Sequence, residues 1–302
     1  MLIGISGKMG SGKNLVCTII QGLTAAKKHN IENPSFEWIK KYYINSIWEQ
    51  KAFASKLKQT ASLLTGIPVE KFEDQEFKNT PIGEDWLVHW YIDRIGQRHL
   101  TLSAEEAIMA DGRDSGQDLL TPRLLLQIIG TECIRDKVHP NAWVNALFAD
   151  YKYEIHRSEV PTRAAGFIDQ HVYPNWIITD MRFPNELEAV KSRGGITIRV
   201  NRFTSIKNDL VYFKNDADDS PINGIYRVLE VKKDNCTLID DKTGYSFGAW
   251  FEEISKIKEH ESETALDNYN DWDYVIDNNG TIEDLIEKVK QILIKEKIWK
   301  AY

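Results

Sequence analysis

The chain has 302 residues, 42% of them hydrophobic, and a formal net charge of −7 at pH 7. That is enough apolar material for one large domain or two modest ones, and the negative balance argues against a protein that coats nucleic acid, whose surface must be basic. No run approaches the roughly 18 uninterrupted apolar residues of a membrane span, MLIGIS carries no basic leader of a secretion signal, and Cys17, Cys133 and Cys236 are too scattered for a metal pattern or a disulfide framework, which suits a reducing cytoplasm.

Leu2, Ile3 and Ile5 predict a first strand, and Asn14 to Ala26 predicts a helix with Leu15, Ile19 and Leu23 along one face. Between them stands GKMGSGKNL, Gly7 to Leu15. It follows the phosphate-cradling pattern G-x-x-x-x-G-K-[ST] except for Asn14 in the hydroxyl position. Gly7, Gly10 and Gly12 let backbone N–H groups converge on an anion at the helix N-terminus, with Lys8 and Ser11 completing the loop. Lys13 is then a mobile point charge for the β and γ phosphates. The plainer alternative is a tight strand-to-helix turn. An amide oxygen at Asn14 is a poorer magnesium ligand than a hydroxyl, but magnesium keeps several waters and leans on substrate phosphates. The expected cofactors are therefore ATP and Mg2+, with the metal held mainly through water and phosphate.

Further along, Ile44 to Ala54 predicts a second strand and Ser55 to Thr65 a helix that Gly66 and Pro68 close. Helical patterns recur at Glu84 to Ile95, Pro122 to Arg135 and Asn141 to Tyr151, with Arg98 to Asp118 read as an irregular polar excursion. Trp176 to Thr179 predicts a buried strand, Pro184 to Ser192 a helix and Ile196 to Val200 another strand. Such alternation indicates an α/β fold, a parallel sheet with helices on both faces. The stretch PNWIITDMRFPNELEAV ends its strand in an acid, Asp180, at the carboxyl edge of the sheet where a magnesium-side carboxylate belongs. Asp180 would orient a metal-bound water or Lys13, and Arg182 would neutralise charge on a transferred phosphoryl group; the alternative is a local ion pair beside a helix started by Pro184.

From Lys207 to Lys258 the rhythm turns to β, with YRVLEV, CTLIDD and YSFGAW separated by turn residues. This divides the chain into a core over 1–206, an inserted small antiparallel β domain over 207–258, and a return to the core over 259–302. Glu263 and Asp267 would bind lid arginines or order the return into the core; the alternative is that His260, Ser262 and Glu263 cap a turn and carry no chemistry. Asp277-Asn278-Asn279-Gly280 predicts a turn before a last helix, Thr281 to Ile294, with Thr281 as its N-cap.

SGKMGSGKN, FASKLK (Phe53 to Lys58), TPRLLLQIIGTECIRD (Thr121 to Asp136), NAWV (Asn141 to Val144), TDMRFPNE (Thr179 to Glu186) and HESETALDNYNDWDYVIDNNGT (His260 to Thr281) occur in that order. Together they resemble the bacteriophage deoxynucleoside monophosphate kinases, and the core is also similar to the animal phosphomevalonate kinases. The resemblance implies a three-layer fold of the P-loop NTPase type, nucleoside monophosphate kinase-like, and transfer of the γ-phosphoryl of ATP to a deoxynucleotide phosphate. Kinases of this type tolerate a residue without a hydroxyl after the loop lysine, as Asn14 requires. The resemblance places Gly7, Gly10, Gly12 and Lys13 on ATP, and Lys58 at the start of the acceptor region. Arg123, Gln127 and Arg135, spaced to share one side of a helix, would read a phosphate and a base. Trp143 would stack on the base unless it is core, and Arg202 would reach ATP ahead of Arg199. The β insert stands where such kinases carry their lid, and is expected to be a lid, an added clamp or a docking module for other replication proteins. The implied partners are small nucleotides, with no membrane, no stable nucleic-acid binding and a homodimer by analogy, in the cytoplasm (the host's, if phage-encoded). Two other readings stay open: a kinase of another phosphate monoester, and a nucleotide-dependent binding protein without transfer activity.

Overall fold

The structure is a computed structural model that describes residues 1–74, 76–92, 98–101, 103–109, 114–159, 167–202, 210–213, 224–231, 235–240, 245–250, 254–256 and 261–299. His260 and the side chain of Glu263 lie outside them. The chain divides into two compact units, Met1–Arg202 with Ala265–Tyr302, and Phe203–Thr264.

The first unit is built on a central sheet whose strands we number in chain order: β1 (Leu2–Ser6), β2 (Trp48–Lys51), β3 (Asn175–Met181), β4 (Ile196–Asn201) and β5 (Tyr274–Asp277). Their spatial order is β5-β4-β1-β3-β2, and every neighbouring pair is parallel. Period-two alternation in β1 explains how it sits between two layers. Ile3 and Ile5 face a core shared with Val16, Ile19, Ile20 and Leu23 of helix α1 (Lys13–Lys28). Leu2 faces the other core, with Met181, Leu187 and Val190. Gly4 makes room there, since a Cβ would stand 2.5 Å from the Met181 sulfur. This sandwich of helices around an all-parallel sheet fits a P-loop-like fold. Successive strands are added first on one side of β1 and then on the other, so the carboxyl ends of β1 and β3 border the switch point where α/β sheets bind ligands.

Most of the expected elements of this layer are present, and the ends shift by a few residues. Helix α2 (Phe36–Tyr42), unforeseen in the sequence, packs Ile39 directly on Gly22 of α1. Helix α3 (Ala54–Thr65) ends at Gly66 in the left-handed conformation, φ 72°. The expected helix over Glu84 to Ile95 is instead a strand, Leu87–Ile92, pairing antiparallel with Arg98–Thr101 and Asp114–Leu119. Apolar residues at nearly every position of LVHWYI leave the period ambiguous, and its β-branched and aromatic content favours the pleat. Gly116 lies opposite Trp90, and a Cβ there would meet the indole at 2.7 Å. The polar excursion therefore holds two strands and the short helix Ala104–Met109. A hairpin, Glu154–Glu159 with Phe167–Val172, was also not anticipated.

The second unit contains an antiparallel sheet. Its order is Ser246–Trp250, Asn235–Ile239, Gly224–Val231, Leu210–Phe213, Ile254–Lys256, around Tyr226, Val228, Cys236, Leu238 and Ala249.

The α1–α2 contact makes a direct test. A Cβ at Gly22 would lie 2.5 Å from Ile39 Cγ2, with Ile39 fully buried. Gly22→Val should overpack this joint and lower stability by about 1–3 kcal/mol, read as a shift of the urea midpoint at unchanged slope.

Candidate active site

β1 runs straight into the glycine loop, and α1 leaves it. α1 opens with Gly12 at its N-cap in the left-handed region, φ 98°, without a side-chain cap and without an acid in its first turn. Its leading amides are thus left for an outside anion, with the dipole in favour. Asn278 Nδ2 donates to the Ser11 carbonyl at 2.9 Å, and a Cβ on Gly12 would stand 2.4 Å from that nitrogen, so no larger residue fits. The Ser11 hydroxyl, 1% exposed at residue level, has no hydrogen-bond partner. An orphaned buried hydroxyl inside a cradle of glycines is what a phosphate oxygen would satisfy. Lys13 Nζ donates to the carbonyls of Gly7 (2.7 Å) and Lys8 (2.8 Å), which keeps the ammonium over the loop. Asp267 braces the loop from outside, pairing with Lys8 at 2.6 Å and with Arg199 at 3.1 Å, while Arg199 also donates to the Ser6 hydroxyl.

Facing the loop is a basic cluster. The ammonium of Lys78 is held below the ordinary lysine range, first by burial and then by the positive charges of Lys58, Arg123 and Arg182, with the Glu73 carboxylate opposing. Lys58 pairs with Glu73. Arg123 donates to Asn79 Oδ1 at 3.0 Å and reaches the sulfur of Met9, at the tip of the glycine loop, at 3.9 Å. Lys58, Arg123 and Arg182 thus come together around Lys78 as one basic cluster. Sequence reasoning missed Lys78: it is one lysine in a polar stretch, FKNT, and only the turn Phe77–Asn79 aims it here. Beside Arg123 a cavity of about 610 Å3 opens between Pro81, Gln117, Asp118, Leu119 and Gln127. A smaller cavity of about 200 Å3, between Lys27 and Trp299, is remote from the loop.

Asp180 does not face this space as a bare acid. Its Oδ1 accepts from the Phe53 amide at 2.8 Å and its Oδ2 from the Ala54 amide at 2.9 Å. Burial raises its pKa in spite of these bonds and of the Arg182 and Lys58 charges. Glu186 lies behind it, accepting from the amides of Arg182 (2.7 Å) and Phe183 (3.1 Å) and pairing with Arg135 at 2.8 Å.

One expectation changes here, and one open alternative is decided. Arg135 does not share a face with Arg123, because the helix Pro122–Gln127 continues over Ile128–Val138 in π geometry, which shifts the register. Its guanidinium instead stacks over the Phe183 ring at 3.5 Å and bonds Glu186 and Asn185. Trp143 is a core residue, 8% exposed, with its indole N–H on the Gly130 carbonyl at 2.8 Å. Arg202 is exposed just beyond β4.

The donors fit a polyphosphate directly. They fit Mg2+ only as an ion carried on that polyphosphate: Asn14 is exposed at the start of α1, both Asp180 oxygens are on amides, and no group of three or more His, Cys, Asp or Glu able to hold a metal occurs among the described residues. Nor is any helix among them long and apolar enough to cross a membrane.

No protein-family model matches the chain. It is 25% identical over 211 residues to the deoxynucleoside-5'-monophosphate kinase of Escherichia phage T5, an alignment taking in 63% of this chain and 72% of that protein. The similarity supports a nucleotide kinase function at the family level, in agreement with the resemblance carried by the ordered motifs.

Glu186 supplies a pH test. Burial, then the neighbouring Asp180 charge, push its carboxyl up to about 7 from 4.5. The folded state therefore holds this proton more tightly than the unfolded one, and the group's contribution to stability falls as pH rises from about 4.5 to about 7. The stability of the native protein relative to Glu186→Gln should decline across that window, by at most about 1.4 kcal/mol per pH unit for a single group, measured by denaturant titrations at each pH.

Proposed function

From that kinship and the geometry of the first unit, we propose that the protein is an ATP-dependent deoxynucleoside monophosphate kinase that makes diphosphates for DNA synthesis. The observation that carries this reading is the abutment of two anion sites. The uncapped start of α1 suits the triphosphate of ATP, and Arg123 of the basic cluster touches Met9 at the tip of that same loop. A second phosphate held at Lys58, Lys78 and Arg123 would thus lie beside the terminal phosphate of ATP.

The reaction needs little covalent help. An oxygen of the acceptor phosphate attacks the γ-phosphorus, the bond from that phosphorus to the β-bridging oxygen breaks, and ADP departs with the electron pair. The amides of α1 and the Lys13 ammonium hold the donor. Lys58, Lys78 and Arg123 hold the acceptor and offset its charge. Arg182, whose charge acts on Lys78 of the cluster, would offset the negative charge that spreads over the transferred group. Mg2+, when carried in on ATP, would neutralise the β and γ oxygens. Water has to be kept away to prevent hydrolysis, and the insert, which enters the chain between Arg202 and Ala265, supports a lid reading by its chain position.

Gln117 and Gln127 offer the cavity beside Arg123 carboxamides that suit a nucleobase, whereas the Asp118 carboxylate there would repel the carboxylate of phosphomevalonate. This favours a nucleotide acceptor over phosphomevalonate.

The direct test is turnover by purified protein with ATP against each deoxynucleoside monophosphate and phosphomevalonate; failure on every nucleotide removes the proposal. Lys13→Ala should lower kcat by about 10²–10³-fold, and a cellular role surviving that substitution would favour the binding-protein reading instead. Lys78→Ala should raise KM for the acceptor about tenfold, roughly 1.4 kcal/mol, while leaving KM for ATP nearly unchanged.

A further inference from the structure

We propose that Asp180 is a positioning residue for the acceptor, and not a magnesium ligand: its carboxylate pins the amino end of α3, and with it Lys58, to the strand end that carries Arg182. The inference rests on the kinase reading above and adds a role within it.

α3 has no cap of its own. Phe53 stands at its N-cap position and offers no acceptor, and its first turn contains no acid. The amides of Phe53 and Ala54 would be left as orphans at a partly buried helix end. Asp180 reaches across from β3 and takes one with each oxygen, at 2.8 and 2.9 Å. A fork of this kind fixes direction as well as distance, and a carboxylate at a helix N-terminus is favoured by the dipole.

The sheet makes this reach inevitable. β2 runs parallel to β3 with Lys51 opposite Ile178, so the chain leaving β2 arrives at Phe53 alongside Asp180. Gln50 Nε2 donates to the Thr179 hydroxyl at 3.2 Å and secures the same junction. Lys58 follows Ala54 by four residues, one turn further on the same face of α3. Its charge acts on both Asp180 and Lys78. One rigid turn of helix therefore connects the pinned end to the acceptor cluster.

The neighbouring acid does similar work. Glu186 takes the amides of Arg182 and Phe183 and is itself held by Arg135. The segment after β3 is thus fixed from both sides, Asp180 holding α3 and Glu186 holding the backbone of Arg182.

The test uses the full chain and steady-state kinetics in which acceptor, ATP and Mg2+ are varied separately, for Asp180→Asn, Asp180→Ser and Lys58→Ala. Asp180→Ser keeps one short acceptor and stands in should the asparagine variant fail to fold. We expect KM for the acceptor to rise about tenfold or more, with KM for ATP and the Mg2+ half-activation point moving less than about twofold. The Asp180 and Lys58 effects on acceptor KM should be strongly non-additive, since one acts through the other. A shift of about tenfold in Mg2+ half-activation at constant acceptor KM would make Asp180 a metal ligand and overturn the proposal. So would additivity with Lys58→Ala, or a uniform loss across kcat and both KM values. Native protein that turns over no phosphate monoester would remove the kinase reading together with this one, a result seen before any variant is made.

Discussion

Helix α1 begins without a cap, and the site is arranged around that omission. A helix end of this kind leaves several amides unsatisfied, and the usual remedies are a serine, threonine or acid at the first positions. Here Gly12 occupies the cap and Lys13 and Asn14 follow it, so nothing in the chain itself completes the turn. The glycines keep the opening clear of side chains, Asn278 clamps the Ser11 carbonyl, and Asp267 steadies Lys8 from outside. The buried Ser11 hydroxyl without a partner belongs to the same pattern.

The opposite arrangement holds at α3. Its open end is closed from within, by Asp180, and its face carries a cation rather than awaiting one. The two helices leave one sheet edge from β1 and β2, on either side of β3, with contrasting treatment of the same physical problem. One end remains available for phosphate and the other is immobilised. Two carboxyls accompany this, the half-buried Asp180 and the buried Glu186, each raised in pKa chiefly by desolvation, with Arg135 paired directly to the second. Burying acids so close together is unfavourable unless their hydrogen bonds are filled, and each one accepts two backbone amides.

Parts of the fold were legible because local chemistry dictates them. GKMGSGKNL between an apolar strand and an amphipathic helix has few other uses, and the structure joins those elements as the spacing implies. The capping of the last helix by Thr281, which accepts from the Asp284 amide at 3.2 Å, was equally local. Leu87–Ile92 was misread for the converse reason: its strand character depends on partners at Arg98–Thr101 and Asp114–Leu119, far enough along the chain that no short window contains the pairing. The π segment over Ile128–Val138 similarly escapes a helical wheel built on a 3.6-residue period. Gly130 packs there against Leu57 of α3, with 2.9 Å between a would-be Cβ and the leucine methyl.

By itself the amino-acid sequence determined the glycine loop between strand and helix, the alternation that makes a parallel sheet, and the change to β pattern after Lys207. Each of these is a matter of neighbours within a turn or two, where backbone geometry and side-chain period suffice. Only the tertiary structure decided which cations share a site: Lys78 joined it, Arg135 went to Glu186, and Asp180 turned to the amides of α3. Those choices depend on strand order and on where a helix end falls against a strand end. Charge pairing at a distance is settled by packing, because a buried amide or carboxyl must take whatever partner the fold brings within reach.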